Sequence, residues 1–221
     1  MTDPIRIFIG TDQRQAPAER ALERSIREHT KRDVELTWMR SGDPGWGEEW
    51  NRGRPMAEYR PKSGHGWGTY FSCFRLAIPE LCGYEGKAIY LDSDMVVLGD
   101  IADLWSLPLH GQAAVVNRRK LMDVMLIDCA HKAWKEAAPI GKVKTAGHAL
   151  GYWRRRLAGS FSATLPDEWD CRDCLPANCK LLHFTAMPTQ PWKPWPEAMS
   201  YRKHPCQEAV KTWRRFSAQP T

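Results

Sequence analysis

The feature that most constrains this chain is the run Lys87 to Leu91, the strongest strand signal in the sequence. It passes without a break into Asp92-Ser93-Asp94 and is followed by a second apolar stretch, Met95 to Leu98. A short apolar run that ends abruptly in acids reads as a fully buried strand, and burial on both faces requires a layer of helices on either side. In an open α/β sheet the carboxyl edge of such a strand is where ligands bind. Residues i and i+2 of extended backbone point to the same side, so Asp92 and Asp94 can converge on one cation. Two hard oxygen donors suit Mg²⁺ or Mn²⁺. A bare Asp-x-Asp is more often a solvated turn; here the apolar run on each side argues for the ligand reading.

The elements around this run agree with it. Ile5 to Ile9 is a β-branched strand that ends at Gly10-Thr11-Asp12, and Ala18 to His29 places Ala21, Leu22, Ser25 and Ile26 at helical spacing. Val34 to Met39 alternates as a second strand, and this β-α-β start predicts a mostly parallel, Rossmann-like sheet in a three-layer α/β domain. A helix is predicted over Thr69 to Leu81, with Phe74, Ala77 and Ile78 on one face, and a short helix capped by Asp100 runs to Trp105. Further on, Ala113 to Val116, Val124 to Ile127 and Lys180 to Phe184 read as strands. Ala130 to Ala138, Ala149 to Leu157 and Gln207 to Phe216 read as helices. The segment Ser41 to Gly68 has no period, is rich in Gly, Pro, Trp and Arg, and is too long for a plain connector, which marks it as either mobile or functional.

Composition narrows the classes. With 221 residues, 43% hydrophobic and 26% charged, the chain suits one globular domain and excludes a disordered, collagen-like or coiled-coil protein. No run of 18 apolar residues is present, and Asp3 stands where a signal peptide would be basic. The seven cysteines are an odd number. Together these predict a reducing, cytoplasmic setting without a disulfide framework. The net charge of +6 favours anionic partners, although solubility explains it equally well. Of the eleven tryptophans, Trp46, Trp50, Trp67, Trp192 and Trp195 lie in loop-like sequence, where a flat ring often lines a cleft.

The stretch Tyr90 to Trp105, which holds Asp92-Ser93-Asp94 and Gly99-Asp100-Ile101-Ala102-Asp103-Leu104, resembles the signature of glycosyltransferase family eight. These are retaining nucleotide-sugar enzymes of GT-A fold, and the resemblance covers most of the chain. Phe8-Ile9-Gly10-Thr11-Asp12 is similar to the family's first strand and turn, which implies that Gly10, Thr11 and Asp12 hold the nucleobase and ribose. Tyr70 to Leu81 resembles the helix whose arginine, here Arg75, reaches the donor. Leu182-His183-Phe184-Thr185 and Lys193-Pro194-Trp195 resemble the late segment that supplies a metal-binding histidine and a phosphate-binding lysine.

The resemblance implies a single GT-A-like domain over 1–221. Residues 1–110 would form the nucleotide and metal half, 111–196 the sugar and acceptor half, and 197–221 a basic tail. It implies a divalent ion, Mn²⁺ or Mg²⁺, on Asp92, Asp94 and His183, and a donor held by Gly10, Thr11, Asp12, Arg75, Ser93 and Lys193. Asp12 can accept from a uracil N–H, which favours a UDP-sugar. The acceptor is left open, with Ser41 to Gly68 and Pro188 to Pro196 as its expected walls. Arg52, Arg54 and Arg60 are expected to meet the phosphates as their loop orders on donor binding. Arg202, Lys203, Lys211, Arg214 and Arg215 suggest weak, peripheral contact with anionic membrane; nucleic acid is not expected.

Each residue has an ordinary alternative: Asp12 as a helix cap, Arg75 as a surface residue, His183 as a core histidine. The sequence also departs from the family. Leu121 to Asp128 replaces the usual sugar-pocket segment, Gln15 stands where an aromatic ring often stacks on the base, and the late Asp-Gln pair is not evident between Thr145 and Leu157. Asp123 therefore becomes the candidate for steadying the oxocarbenium-like centre. Rival readings are an inactive or nucleotidyltransferase-like GT-A domain, or a zinc-bearing nucleic-acid module on Cys171, Cys174, Cys179 and His183.

Overall fold

The computed structural model describes residues 3–50, 69–197 and 199–218. Strands β1 (Ile5–Asp12), β2 (Val34–Ser41) and β3 (Lys87–Asp92) open the sheet, with helix α1 (Ala16–His29) as the first crossover. The short helix α2 (Ile78–Leu81) precedes β3, and β4 (Met95–Val97) and α3 (Ile101–Trp105) follow it. The second half contributes β5 (Ala114–Val115), β6 (Val124–Asp128), α4 (Ala133–Ala137), α5 (Ile140–Thr145) and α6 (Leu150–Leu157). Strands β7 (Phe161–Ser162), β8 (Cys171–Arg172) and β9 (Leu181–His183), and helix α7 (Gln207–Ser217), complete the chain.

Six strands form one sheet in the order β2-β1-β3-β6-β5-β7, and β4-β9-β8 form a second. In the main sheet, β6 runs antiparallel to β3 and β5, and the other pairs are parallel. The period of two sorts the residues of β3: Ala88 and Tyr90 pack to one side with Phe74, Trp134 and Trp153, and Ile89 and Leu91 to the other with Leu22 and Ile26 of α1. A sheet with a helical layer on each face is the expected three-layer sandwich.

Several elements differ from expectation. Thr69 to Leu81 is not one helix but a 3-10 turn over Phe74–Ala77 that leads into the four residues of α2. Pro79 explains the break: it has no N–H to donate, and its ring would collide with the carbonyl four residues earlier. Trp46 and Trp50 do not line a cleft. Their rings stack at 5.2 Å and pack on Phe74, and Trp50 is buried in the core. Trp67, most of the Ser41 to Gly68 loop and its arginines Arg52, Arg54 and Arg60 lie outside the described residues. The region after 196 is more than a tail: Ala209, Trp213 and Phe216 of α7 are buried against Ala21, Val96, Leu182 and Phe184.

Candidate active site

Strand register explains how distant residues meet. Gly10 of β1 lies level with Asp92 of β3, and Ser93 N donates to the Gly10 carbonyl at 3.1 Å. Leu91 pairs with Val124, which sets Asp123 beside Asp92 at the same sheet edge. In the second sheet Met95 pairs with His183, and His183 pairs with Arg172, so the histidine is flanked by Asp94 on one side and Arg172 on the other. Four chain segments thus converge at the carboxyl ends of β1 and β3, where an α/β sheet opens to ligands.

Arg75 is buried beneath this edge. It donates to Asp92 Oδ1 at 2.8 Å, to the Ser72 carbonyl at 2.8 Å and to the Met122 carbonyl, and it reaches Asp123 Oδ1 at 3.5 Å. Its guanidinium lies 4.3 Å from the centre of the Tyr90 ring, whose hydroxyl also donates to Asp92. Arg75 is therefore part of the site, not a surface residue of its turn. Burial works against the cation, but Asp92, Tyr90 and Asp123 outweigh it and raise its pKa. For Asp92, burial wins over Arg75 and pushes the carboxyl up to about 7.

His183 is 3% exposed. Its Nδ1 meets Asp170 Oδ1 at 2.9 Å and its Nε2 faces Asp94 Oδ1 at 3.4 Å. Gln190, itself buried, donates to Asp94 Oδ2 at 3.1 Å and to the Phe184 carbonyl at 2.8 Å. Asp123 receives Arg172 on its Oδ2, and Arg172 Nε donates to Asp170 Oδ2 at 2.9 Å. Burial opposes ionisation of Asp123, but His183, Arg75 and Arg172 together hold its carboxyl below the usual range.

A divalent ion fits this arrangement. Four carboxylates (Asp92, Asp94, Asp123, Asp170) and two guanidiniums (Arg75, Arg172) surround His183. Burial opposes its charge, but Asp94, Asp170 and Asp123 outweigh it and raise the imidazole well above its ordinary pKa, so the site draws positive charge. Asp94 Oδ1 is buried without a hydrogen-bond partner, a costly state that a cation would relieve. Ligand atoms of Asp92, Asp123 and His183 all lie within 4.8 Å of one another. Among the described residues, that is the one His, Cys, Asp and Glu cluster of metal-site dimensions, so Cys171, Cys174, Cys179 and His183 are not assembled as a zinc knuckle. The physical reason is that His183 is already held between two aspartates.

The remaining expected donor residues sit close by in the chain but differ in character. Gly10 has no room for a side chain, since a Cβ there would lie 2.2 Å from the Tyr90 hydroxyl and 2.9 Å from the Phe71 ring. Thr11 is buried and its hydroxyl donates to Glu19 at 2.6 Å. Asp12 Oδ1 accepts from Arg14 N at 2.8 Å, so it does act as a cap. The Ser93 hydroxyl is buried with no partner. Lys193 is exposed, in a left-handed turn (φ 49°) that hangs from the Gln190 carbonyl. Gln15 is buried and accepts from Trp192 Nε1 at 2.7 Å, so it positions a ring instead of supplying one. Sequence reasoning missed Tyr90, Asn117, Asp170, Arg172 and Gln190. Of these, only Tyr90, two residues before Asp92 on the same strand, carried a usable spacing signal.

This architecture, with acids and a histidine at the switch from one sheet to the other, defines a glycosyltransferase fold of the GT-A type. Residues 59–150, less than half of the chain, match glycosyl transferase family 8. Over 104 residues it is 32% identical to the protein CDI of Arabidopsis thaliana, spanning 47% of this chain and 37% of CDI. The glycosyltransferase GlyE of Streptococcus pneumoniae is similar in structure, with a TM-score of 0.64 at 18% identity over 99% of this chain and 62% of GlyE. An active-site mutant of LgtC gives a TM-score of 0.65 at 13% identity, with 97% of each chain covered. A second LgtC structure, a galactosyltransferase in complex with donor and acceptor sugar analogues, gives 0.57 at 14% identity. The chain thus spans less than two thirds of CDI and of GlyE.

Proposed function

We propose that this chain is a metal-dependent, retaining glycosyltransferase that moves a sugar from a nucleoside-diphosphate donor, a UDP-hexose, to an acceptor. The observation that carries the reading is the cluster of Asp92, Asp123 and His183 at the carboxyl edge of β3, with Asp94 against the histidine. The complex of LgtC with sugar analogues supports a donor and an acceptor site in this fold. Asp92, Asp94 and His183, with Asp123 in reach, would hold Mn²⁺ or Mg²⁺, which when bound supplies Lewis-acid neutralisation of the leaving diphosphate.

The chain's own residues supply the rest. Arg75 is fixed by three partners before any donor arrives, so its positive charge costs no reorganisation at the moment of reaction. Lys193 adds a second charge from an exposed side chain. Asp123 stays ionised between Arg75 and Arg172 and can steady positive charge that develops at the sugar carbon. Asp12 retains one carboxylate oxygen for a uracil N–H. Pro188 to Pro196, which carries Trp192 and Trp195, forms part of the acceptor wall. A cytoplasmic setting suits the seven cysteines, none of them in a disulfide. Incubation with Mn²⁺ and a panel of nucleotide sugars should release UDP, and chelation should stop it. No nucleotide released from any member of the panel would overturn the reading.

A further inference from the structure

Asp170 stands just before β8 and Arg172 at its end, and both side chains reach the site, Asp170 on His183 and Arg172 on Asp123. Neither belongs to the family-matched segment 59–150. Asp170 is nearly buried, and both its oxygens are used: Oδ1 on His183 Nδ1 at 2.9 Å, Oδ2 on Asn117 Nδ2 at 2.7 Å and Arg172 Nε at 2.9 Å. Arg172 spends its other end on Asp123. A single bridge therefore runs from the histidine on β9 to the carboxylate that precedes β6.

We propose that Asp170 and Arg172 are positioning residues, Asp170 fixing which nitrogen of His183 faces the cation and Arg172 fixing the carboxylate of Asp123. The inference rests on the metal-dependent reading given above. An ionised Asp170 can only accept, so the proton at that contact sits on Nδ1, and Nε2, which faces Asp94 Oδ1 3.4 Å away, is the nitrogen left to lose its proton and offer a lone pair to a cation. Without that carboxylate the ring can rotate or change tautomer, and a donor nitrogen is lost. Arg172 differs in what it controls. It touches neither nitrogen of His183; it ties Asp123 to the same anchor, so sugar-side and metal-side groups keep a fixed separation. Asn117 completes the anchor from the β5 side.

The test is Mn²⁺ binding to the whole chain with UDP present, followed by electron paramagnetic resonance. Asp170→Asn should weaken Mn²⁺ binding by roughly 10- to 100-fold and lose the nitrogen coupling of a directly bound imidazole. Asp170→Glu keeps the charge and should retain the coupling at intermediate affinity, which preserves the test if the amide variant fails to fold. Arg172→Gln should keep the nitrogen coupling and slow UDP release, from whichever UDP-hexose the wild type turns over, by on the order of 10²-fold. A wild type that binds Mn²⁺ through nitrogen, beside an Asp170 variant equal to it in both readouts, overturns the positioning role alone. An Arg172→Gln protein that loses the coupling as Asp170→Asn does overturns the division of labour. A wild type that binds no Mn²⁺ sinks the functional reading and this inference with it.

Discussion

Gly10 shows how much one missing side chain decides. Its backbone passes so close to Tyr90 and Phe71 that a methyl group would overlap both. Tyr90 in turn donates to Asp92, so a displaced ring disturbs the site as well as the core. Gly10→Ala should cost about 1–3 kcal/mol by overpacking. Chemical denaturation checks this, and a loss indistinguishable from zero would show that the contact relaxes freely. Asp94→Asn tests a different quantity, because it keeps volume and removes one charge. Wild type should melt several degrees higher with UDP and Mn²⁺ than without, since a ligand that binds only the native state stabilises it. The variant should gain nothing from the pair. A full ligand-dependent shift in Asp94→Asn would remove Asp94 from the metal set.

Among elements, β4 depends most on a neighbour. It follows the acids directly, and its Val97 N–H donates to the Ser25 hydroxyl of α1 at 2.9 Å, while that hydroxyl donates to the Leu22 carbonyl at 2.8 Å. Both atoms are buried, so Ser25→Ala leaves a strand N–H without a partner, at a cost of about 1–3 kcal/mol. Because β4 pairs with β9 through Met95 and His183, the same change should weaken the Mn²⁺-dependent stabilisation. Thermal melts with and without metal separate the two effects; an unchanged melting point in both would refute the role of this bond. On the other side of α1, helix α7 seals the second sheet with Trp213 and Phe216. Trp213→Ala should destabilise by about 3–5 kcal/mol, as large aromatic truncations in cores do. A loss under half the lower figure, read by denaturant unfolding, would mean that α7 is only loosely docked.

The whole molecule carries +6, and part of that charge sits on the outer faces of α7 and the segment before it. Docking of α7 leaves its basic residues outward, although Arg215 meets Glu28 and Lys211 meets Glu208 at 2.7 Å. These pairs are exposed and weak, so they leave the charge available. We propose peripheral contact of Arg202, Lys203, Lys211, Arg214 and Arg215 with anionic lipid. Sedimentation with phosphatidylserine vesicles should retain protein at low salt and release it as salt screens the charges. An absence of binding at low salt would dismiss the idea.

The amino-acid sequence alone determined the scaffold and half of the site. Local pattern is enough to define β1, α1, β2 and β3, because an apolar period and its end are written in adjacent residues. Asp92 and Asp94 were legible as candidates from their spacing, although β3 ends at Asp92 and the metal-sized group joins it to Asp123 and His183, with Asp94 held against His183 instead. The helix expected over Thr69 to Leu81 is broken for a local reason, Pro79. Trp46 and Trp50 were misplaced for a non-local one, since burial of a loop ring depends on what packs over it. Asp170, Arg172 and Gln190 could not be read at all: they acquire meaning only when β8 and β9 pair and bring them against β4. Asp123 stands between these cases, a sequence candidate whose two arginine partners come from 48 and 49 residues away. Tertiary structure decided that assembly because hydrogen bonds and charge pairs act over a few ångströms in space, whatever the separation along the chain.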